Sequence, residues 1–407
     1  MRILYLNPCA QMGGAETSLV ELLASIRFVE PDWELTLLLN SDGPLVPKAR
    51  ALGVKVRVVS IPAALGNAGD SGWGGRRAIF NALPGAFDYL RRLRLAIHDE
   101  QPDLVHSTGF KMHLASARAS VGGVPVIWHI HDYVRPRPFM RWLLRWHAGR
   151  CSAVIANSQS VADDVRAVLG TRPVIETIYN AIDLRRFVPV GPEFDLDVLS
   201  GLAPAEPGTI RVGLVATFAR WKGHYTFLNA LAMLPSSPRV RGYIIGAAIY
   251  QTTSSQHTID ELRTEAERLG LDGRVGFTGF IDNTPSAMRA LDIVVHASTQ
   301  PEPFGMVIAE GMACGKAVIA ANAGGALEVF EDGVSALGHS PGDAAGLADR
   351  IMQLACDEGL RARLGRAGIA KVTACFNRRR LGMEVVQVYR EVWRKPVIPS
   401  ATAAAHP

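Results

Sequence analysis

The stretch IVVHASTQPEPFGMVIAEGMACGKAVIAANAGG, residues 293–325, reads as a strand, a loop, a helix and a second strand. Ile293 to His296 and Ala317 to Ala320 are short apolar runs of the kind a parallel sheet buries on both faces. The loop Gln300-Pro301-Glu302-Pro303-Phe304-Gly305 follows the first run directly, and its prolines end the strand. A helix starting near Gly305 then turns its first amides toward the carboxyl edge of the sheet, where open parallel sheets place their ligands. Glu302 stands before that helix, and Glu310 lies more than one turn inside it. Each carboxylate accepts pairs of hydrogen bonds, so the two suit a polyhydroxylated ligand such as a sugar nucleotide, one for the hexose and one for the ribose. A helix cap at Glu302 and a solvated Glu310 are the plainer alternative.

The same rhythm extends in both directions. Arg2 to Leu6, Leu35 to Leu39, Val54 to Val59, Leu104 to His106, Val124 to Ile130 and Ala153 to Ala156 are strand candidates, with helical patterns such as Thr17 to Ile26 and Phe87 to His98 between them. A second series runs through Ile210 to Val215, Arg241 to Ile245, Val275 to Phe277, Ile293 to His296, Ala317 to Ala320 and Ala336 to Leu337, with helices at Tyr225 to Leu234 and Thr258 to Leu269. The fold class is therefore α/β, two doubly wound domains in tandem. The expected limits are 1–187 and 209–376, joined by the proline- and glycine-bearing linker VPVGPEFDLDVLSGLAPAEPG at 188–208. A C-terminal helix over 377–395 is expected to pack back on the first domain, and 396–407 to be a flexible tail. The glycine-rich segment from Pro62 to Arg77 reads as a mobile loop.

Of the 407 residues, 48% are hydrophobic and 20% charged, enough for a large core and against disorder as the default. The net charge of +5 suits an anionic partner, a sugar nucleotide or a membrane surface; basic patches also suit nucleic acid, and charge does not choose among them. Five widely spaced cysteines without a C-x-x-C indicate neither a disulfide framework nor a zinc site. Neither a signal peptide nor a spanning segment is read, so the expected location is cytoplasmic, peripheral on the inner face of the cell membrane.

From Glu302 to Glu310, with Phe304-Gly305 between and Gly315-Lys316-Ala317-Val318-Ile319, Gly324-Gly325, Glu328 and Asp332-Gly333 after, the chain resembles the E-x7-E region of family 4 glycosyltransferases. Gly13-Gly14-Ala15-Glu16, Ala156-Asn157-Ser158, Asn180-Ala181-Ile182-Asp183 and Trp221-Lys222-Gly223 carry the resemblance across most of the sequence. It implies the GT-B fold: two Rossmann-like domains facing a central cleft, the second holding a nucleotide-sugar donor. It also implies a retaining hexosyltransferase acting on a saccharide or lipid-linked saccharide in envelope or exported polysaccharide synthesis, with no metal or other cofactor and no nucleic-acid partner. A sugar-nucleotide epimerase of the same architecture and a non-catalytic nucleotide-sugar binder are the rival readings.

The candidate catalytic residues are Lys222, Glu302 and, by the resemblance, His131, with Arg220 added from this sequence's own departure from the family pattern. Lys222 meets the departing diphosphate; the family's arginine five positions earlier is Thr217 here, so Arg220 either replaces its charge or is a surface residue. The assigned donor-binding residues are Gly13, Gly14, Phe304, Gly305, Met306, Glu310 and Gly279, the last in Thr278-Gly279-Phe280-Ile281, which resembles the stretch whose backbone reads the base. Tyr250 to His257 either touches the donor or is a solvated loop.

His129 and His131 share one face of a strand, which leaves a metal site, a structural pair, or, by the resemblance, an acceptor contact through His131. Asp195-Leu196-Asp197 spells a metal-binding D-x-D but falls in the expected linker and is discounted. Cys314 is expected to be a small buried residue rather than a nucleophile. From Arg135 to Trp146, Phe139, Trp142, Leu143 and Trp146 fall on one helical face and Arg141 and Arg145 on another. That helix either lies in an anionic membrane interface or buries its tryptophans in the first domain.

Overall fold

The computed structural model describes residues 1–62, 75–120, 123–248 and 255–394. The body of the expected mobile loop, most of Tyr250 to His257 and the expected tail lie outside the described residues. The chain divides into two compact units, residues 1–181 with 378–407, and residues 182–377.

In the first unit, strands β1 (Arg2–Asn7), β2 (Glu34–Leu39), β3 (Lys55–Val58), β4 (Leu104–Thr108), β5 (Val126–Ile130), β6 (Ala153–Ala156) and β7 (Val174–Thr177) form a parallel sheet ordered β3-β2-β1-β4-β5-β6-β7. Side chains alternate between two cores: Leu4, Leu6, Val105 and Trp128 pack on one face, Ile3, Tyr5, Leu104 and Ile127 on the other. β7 escapes the sequence reading because it is a four-residue edge strand, Val-Ile-Glu-Thr, whose side chains are half-buried or exposed and so show no apolar run.

In the second unit β8 (Ile210–Val215), β9 (Val240–Ile245), β10 (Val275–Gly279), β11 (Ile293–His296), β12 (Ala317–Ala321) and β13 (Leu337–His339) form a parallel sheet ordered β10-β9-β8-β11-β12-β13. Both sheets are doubly wound. Their strand order reverses between β1 and β4 and between β8 and β11, and open α/β sheets receive their ligands outside the carboxyl ends of the strands at such a reversal.

The expected linker at 188–208 is not one. It belongs to the second unit, held there by polar side chains that composition does not reveal. The buried Arg289 donates from Nε to the Pro192 carbonyl at 2.9 Å and from Nη2 to Ser286 Oγ at 3.1 Å, with its guanidinium 3.0 Å from where a side chain on Gly191 would begin. Asp195 caps a short helix, Leu196–Ser200, by accepting from the Asp197 and Val198 amides. Asp197 is buried and accepts from Tyr243 Oη at 2.6 Å, Arg241 Nη1 at 2.7 Å, the Ala205 amide at 3.0 Å and Arg211 Nη2 at 3.2 Å. Both aspartates of the D-x-D thus have structural work.

The chain leaves the first unit at Ala181 and re-enters it at Arg378. The helix Arg378–Arg394 packs along the helix Gly14–Val29. Arg378 meets Glu21 through two hydrogen bonds of 2.6 and 2.8 Å, and Tyr389 is fully buried, stacked on Trp33 at 6.3 Å. The two helices touch at Gly382, where a Cβ would stand 2.5 Å from the Ser25 carbonyl oxygen. Helix propensity alone makes Gly382→Ala stabilising by about 1 kcal/mol. The contact is with backbone, which cannot step aside, and overpacking of this kind costs about 1–3 kcal/mol. Gly382→Ala is therefore expected to lower the midpoint of urea unfolding, and an unchanged or higher midpoint would show that the helices part freely.

Candidate functional site

At the second unit's reversal, the loops after β8 and β11 are fastened to each other. The Thr299 amide donates to the Trp221 carbonyl at 2.8 Å, and Thr299 Oγ1 to the same oxygen at 3.2 Å. Gly223, at φ +77°, comes so close to the second loop that a Cβ would lie 1.8 Å from the Ala297 carbonyl oxygen. No other residue fits there. This approach brings Lys222, in a single 3-10 turn (Arg220–Lys222), to Glu302 across eighty positions of sequence.

Lys222 Nζ donates to Glu302 Oε1 at 2.9 Å and Oε2 at 2.8 Å, and lies 4.0 Å from the centre of the Trp221 ring. Ser298 Oγ donates to Glu302 Oε2 at 2.8 Å, and His296 Nε2 reaches the same oxygen at 3.1 Å. Glu302 is buried, which by itself would raise its carboxyl; the charge of Lys222 and the hydrogen bonds from His296 and Lys222 outweigh that and hold it well below the usual carboxylate range. The backbone of Glu302 is fixed too, its carbonyl accepting from the Gly325 amide at 2.7 Å.

Gly305, at φ +98°, opens the helix Met306–Ala313, whose first amides point back toward Glu302's loop. Phe304 is buried edge-on against Phe376 at 5.4 Å, so its side chain anchors the helix start instead of lining the site. Glu310 is half-buried inside the helix. Cys314 is buried, and burial with the nearby Glu310 pushes its thiol up to about 12, the state of an inert packing residue.

Arg220 is exposed and turned to the neighbouring helix Ile259–Arg268, where Nη2 meets Glu261 at 3.2 Å and Nη1 lies 3.3 Å from His257 Nδ1. The structure does not hand it to Glu302 as it does Lys222. Gln256 and His257 are buried and pair with the chain at Phe218–Arg220, so this part of the stretch read as either a donor contact or a solvated loop is not solvated but belongs to the body of the unit. Gly279 ends β10 at φ +73° and accepts from the Gly246 amide at 3.0 Å.

The N-terminal part of the chain, residues 12–186, matches the model of Glycosyltransferase Family 4, and residues 204–371 match that of Glycosyl transferases group 1. The chain belongs to glycosyltransferase family 4. Among the relatives of this family 4 chain is the lipopolysaccharide core biosynthesis glycosyltransferase LpsE of Rhizobium meliloti, 31% identical over 225 residues, 55% of this chain and 60% of that protein. The D-inositol 3-phosphate glycosyltransferase of Streptomyces bingchenggensis is 28% identical over 313 residues, 72% of this chain and 67% of that one. The chain thus spans about three fifths of the length of LpsE. Among solved structures, Anabaena HepE in complex with UDP-glucose is 28% identical and superposes with a TM-score of 0.78 over 96% of this chain and all of that one. Such neighbours carry the GT-B fold, and the two doubly wound units of this chain are of that kind.

In the first unit of the family 4 chain, Gly13 caps the helix Gly14–Val29, and its amide donates to Glu16 Oε2 at 3.2 Å. Gly13 has extended backbone and Gly14 has open space around its α-carbon, so neither is glycine for conformational reasons. His131 follows β5, its ring 4.0 Å from that of His129, which in turn lies 5.2 Å from His106. Tyr389 Oη bonds His106 Nδ1 at 2.8 Å. Among the described residues no three His, Cys, Asp or Glu side chains gather so as to hold a metal ion.

The helix Pro138–His147 overturns the buried-tryptophan reading. Trp142 and Trp146 are 58% and 65% exposed, because the helix buries Leu144 and His147 instead. The rings of Phe139, Trp142 and Trp146 stack in succession at 6.3 and 5.6 Å, with Arg141 and Arg145 exposed beside them. No described helix is long and apolar enough to cross a membrane.

The sequence reading does not single out His296 and Ser298; a histidine closing an apolar strand and a serine four residues before Glu302 are the only signals that mark them.

Burial presses His131 down to about 4 and His106 to about 3, below the ordinary imidazole value near 6.5. The unfolded chain then binds more protons than the folded one, so this stability is full above about pH 6.5 and falls as pH drops toward 4. Between pH 7 and pH 5 a loss on the order of 2 kcal/mol per buried histidine is expected in urea unfolding. Replacing His131 with glutamine is expected to flatten that pH dependence; an unaltered slope would place the proton uptake elsewhere.

Proposed function

We propose that the chain transfers a hexose from a nucleotide-sugar donor to a saccharide or lipid-linked saccharide, with retention at the anomeric carbon. The observation that carries this reading is the Lys222–Glu302 pair at the β8/β11 reversal, a cation and a hydroxyl-accepting carboxylate held together where a doubly wound sheet receives its ligand. The likeness to HepE, crystallised with UDP-glucose, makes a uridine nucleotide sugar the first donor to try. The relationship to LpsE supports a place in envelope or exported polysaccharide synthesis.

In this reading the acceptor hydroxyl oxygen bonds to the anomeric carbon while the bond from that carbon to the diphosphate oxygen breaks. The electron pair leaves with the diphosphate, which also receives the hydroxyl proton. An ammonium has three N–H donors, and two of those of Lys222 serve Glu302, so Lys222 can turn one toward the growing negative charge. The amides opening at Gly305 and Met306 favour the same charge. Glu302 and Glu310 accept hydroxyls, Gly279 offers backbone to the base, and Arg220, tied to Glu261, contributes its field without contact. His131 remains the first unit's candidate for the acceptor. No metal or other cofactor is called for.

Lys222→Ala is expected to lower kcat by about a hundredfold or more while the protein still unfolds cooperatively. Nuclear magnetic resonance of the product should find the donor's anomeric configuration kept; an inverted product rejects the mechanism. Conversion of the nucleotide sugar without any acceptor would favour an epimerase, and binding without turnover a non-catalytic binder.

The exposed aromatic ladder Phe139, Trp142 and Trp146, with Arg141 and Arg145, supports a second element of the reading: reversible contact with the anionic inner face of a cell membrane. Replacing Arg141 and Arg145 with glutamate is expected to abolish sedimentation with vesicles containing phosphatidylserine, while transfer to a soluble acceptor is retained. Wild-type protein that ignores such vesicles at low salt would make a soluble acceptor the better assignment.

A further inference from the structure

His296 ends β11 and is buried, with both ring nitrogens engaged. On one side its Nδ1 accepts the Ala321 amide, 3.3 Å away at the end of β12. A nitrogen that accepts an N–H carries no proton, so the ring's proton sits on Nε2. That nitrogen lies 3.1 Å from Glu302 Oε2 and 3.0 Å from Ser298 Oγ, and Ser298 Oγ donates to the same carboxylate oxygen at 2.8 Å. The direction of every bond follows: the β12 backbone fixes the tautomer, the tautomer aims an N–H at Glu302, and the serine hydroxyl is oriented alongside. His339, closing β13, adds a contact of 3.3 Å between its Nε2 and the His296 carbonyl. Glu302 is thus held from two sides by different chemistry. Lys222 spans both carboxylate oxygens and can be shared with an incoming anion; the His296–Ser298 pair takes one oxygen and has no such second task.

We propose that His296, acting with Ser298, is a positioning residue. It keeps the Glu302 carboxylate oriented toward the sugar when Lys222 is drawn to the donor diphosphate. This rests on the nucleotide-sugar reading above. Without the pair, Glu302 would follow Lys222, and the hydroxyl acceptor would be misplaced at the moment it is needed. A hydrogen bond to a charged group contributes enough that its loss reads as about a tenfold change in affinity.

The distinguishing property is that Glu302 serves the sugar and not the diphosphate. Calorimetric titration of UDP and of UDP-glucose into wild type, His296→Asn, His296→Gln and Ser298→Ala therefore separates the possibilities. Asparagine retains a group near the Nδ1 position and loses the reach to Glu302; glutamine retains an N–H donor near the Nε2 position. His296→Asn and Ser298→Ala are expected to bind UDP as wild type does and UDP-glucose about tenfold more weakly, with a matching rise in the donor KM. His296→Gln is expected to recover most of the difference and is the informative variant if His296→Asn fails to fold. Equal weakening toward UDP and UDP-glucose would mean that the end of β11 is merely distorted, and unchanged UDP-glucose binding would mean that Glu302 needs no such support; either overturns the proposal. Wild-type protein that binds no nucleotide or nucleotide sugar would instead overturn the functional reading beneath it.

Discussion

A lysine ammonium and a glutamate carboxylate, both largely withdrawn from water and brought together from opposite sides of a sheet reversal, are the constraint around which the second unit is organised. Such a pair offsets its own desolvation only with close geometry and further hydrogen bonds. The Ser298 hydroxyl and the His296 ring supply the hydrogen bonds, and backbone sets the geometry. Gly223 lets one loop press against the Ala297 carbonyl, Thr299 ties the loops at Trp221, and Gly325 fixes the Glu302 carbonyl. Moving either loop outward would leave a buried carboxylate without its cation, so the helix entered at Gly305 and the ends of β11 and β12 inherit a fixed frame.

Around this frame, polar residues divide by what they face. Arg289, Asp195 and Asp197 hold the segment after the chain enters the second unit, and they do so through carbonyls, amides and a buried phenol. Arg220 sits two residues before Lys222 yet engages a different helix, since two steps along a 3-10 turn, each about 120°, point the two side chains in different directions. Basic residues close together in sequence can therefore belong to unrelated networks.

Much of this is legible in the amino-acid sequence. Apolar runs alternating with helical patterns gave away two parallel sheets, because strands buried on both faces leave an uninterrupted apolar signature. Glu302 and Gly305 stand out because prolines, glycines and charges in a short span restrict what a backbone can do, whereas Lys222 is marked by the family resemblance. What escaped were features whose meaning lies in a partner far along the chain. The edge strand Val174–Thr177 has no buried run, and His296 and Ser298 look like the tail of a strand until β12 supplies the amide that orients them. The supposed linker at 188–208 has a loop's composition, yet Arg289, about a hundred residues on, makes it part of the unit. The helix from Pro138 to His147 was ambiguous because its pattern states which residues share a face and not which face is covered.

The return of the helix Arg378–Arg394 bears on how the protein is made. Leu381, Val385, Val386, Val388, Tyr389 and Val392 belong to the same core as Ile3, Tyr5 and Leu37, so that core stays open until the helix Arg378–Arg394 has left the ribosome. The second unit is one continuous stretch, residues 182–377, and has all its strands in hand earlier. Domains emerging from a ribosome generally fold in the order they are written. Here the order is reversed: the portion synthesised first closes last, and until then one face of its finished sheet stays partly uncovered.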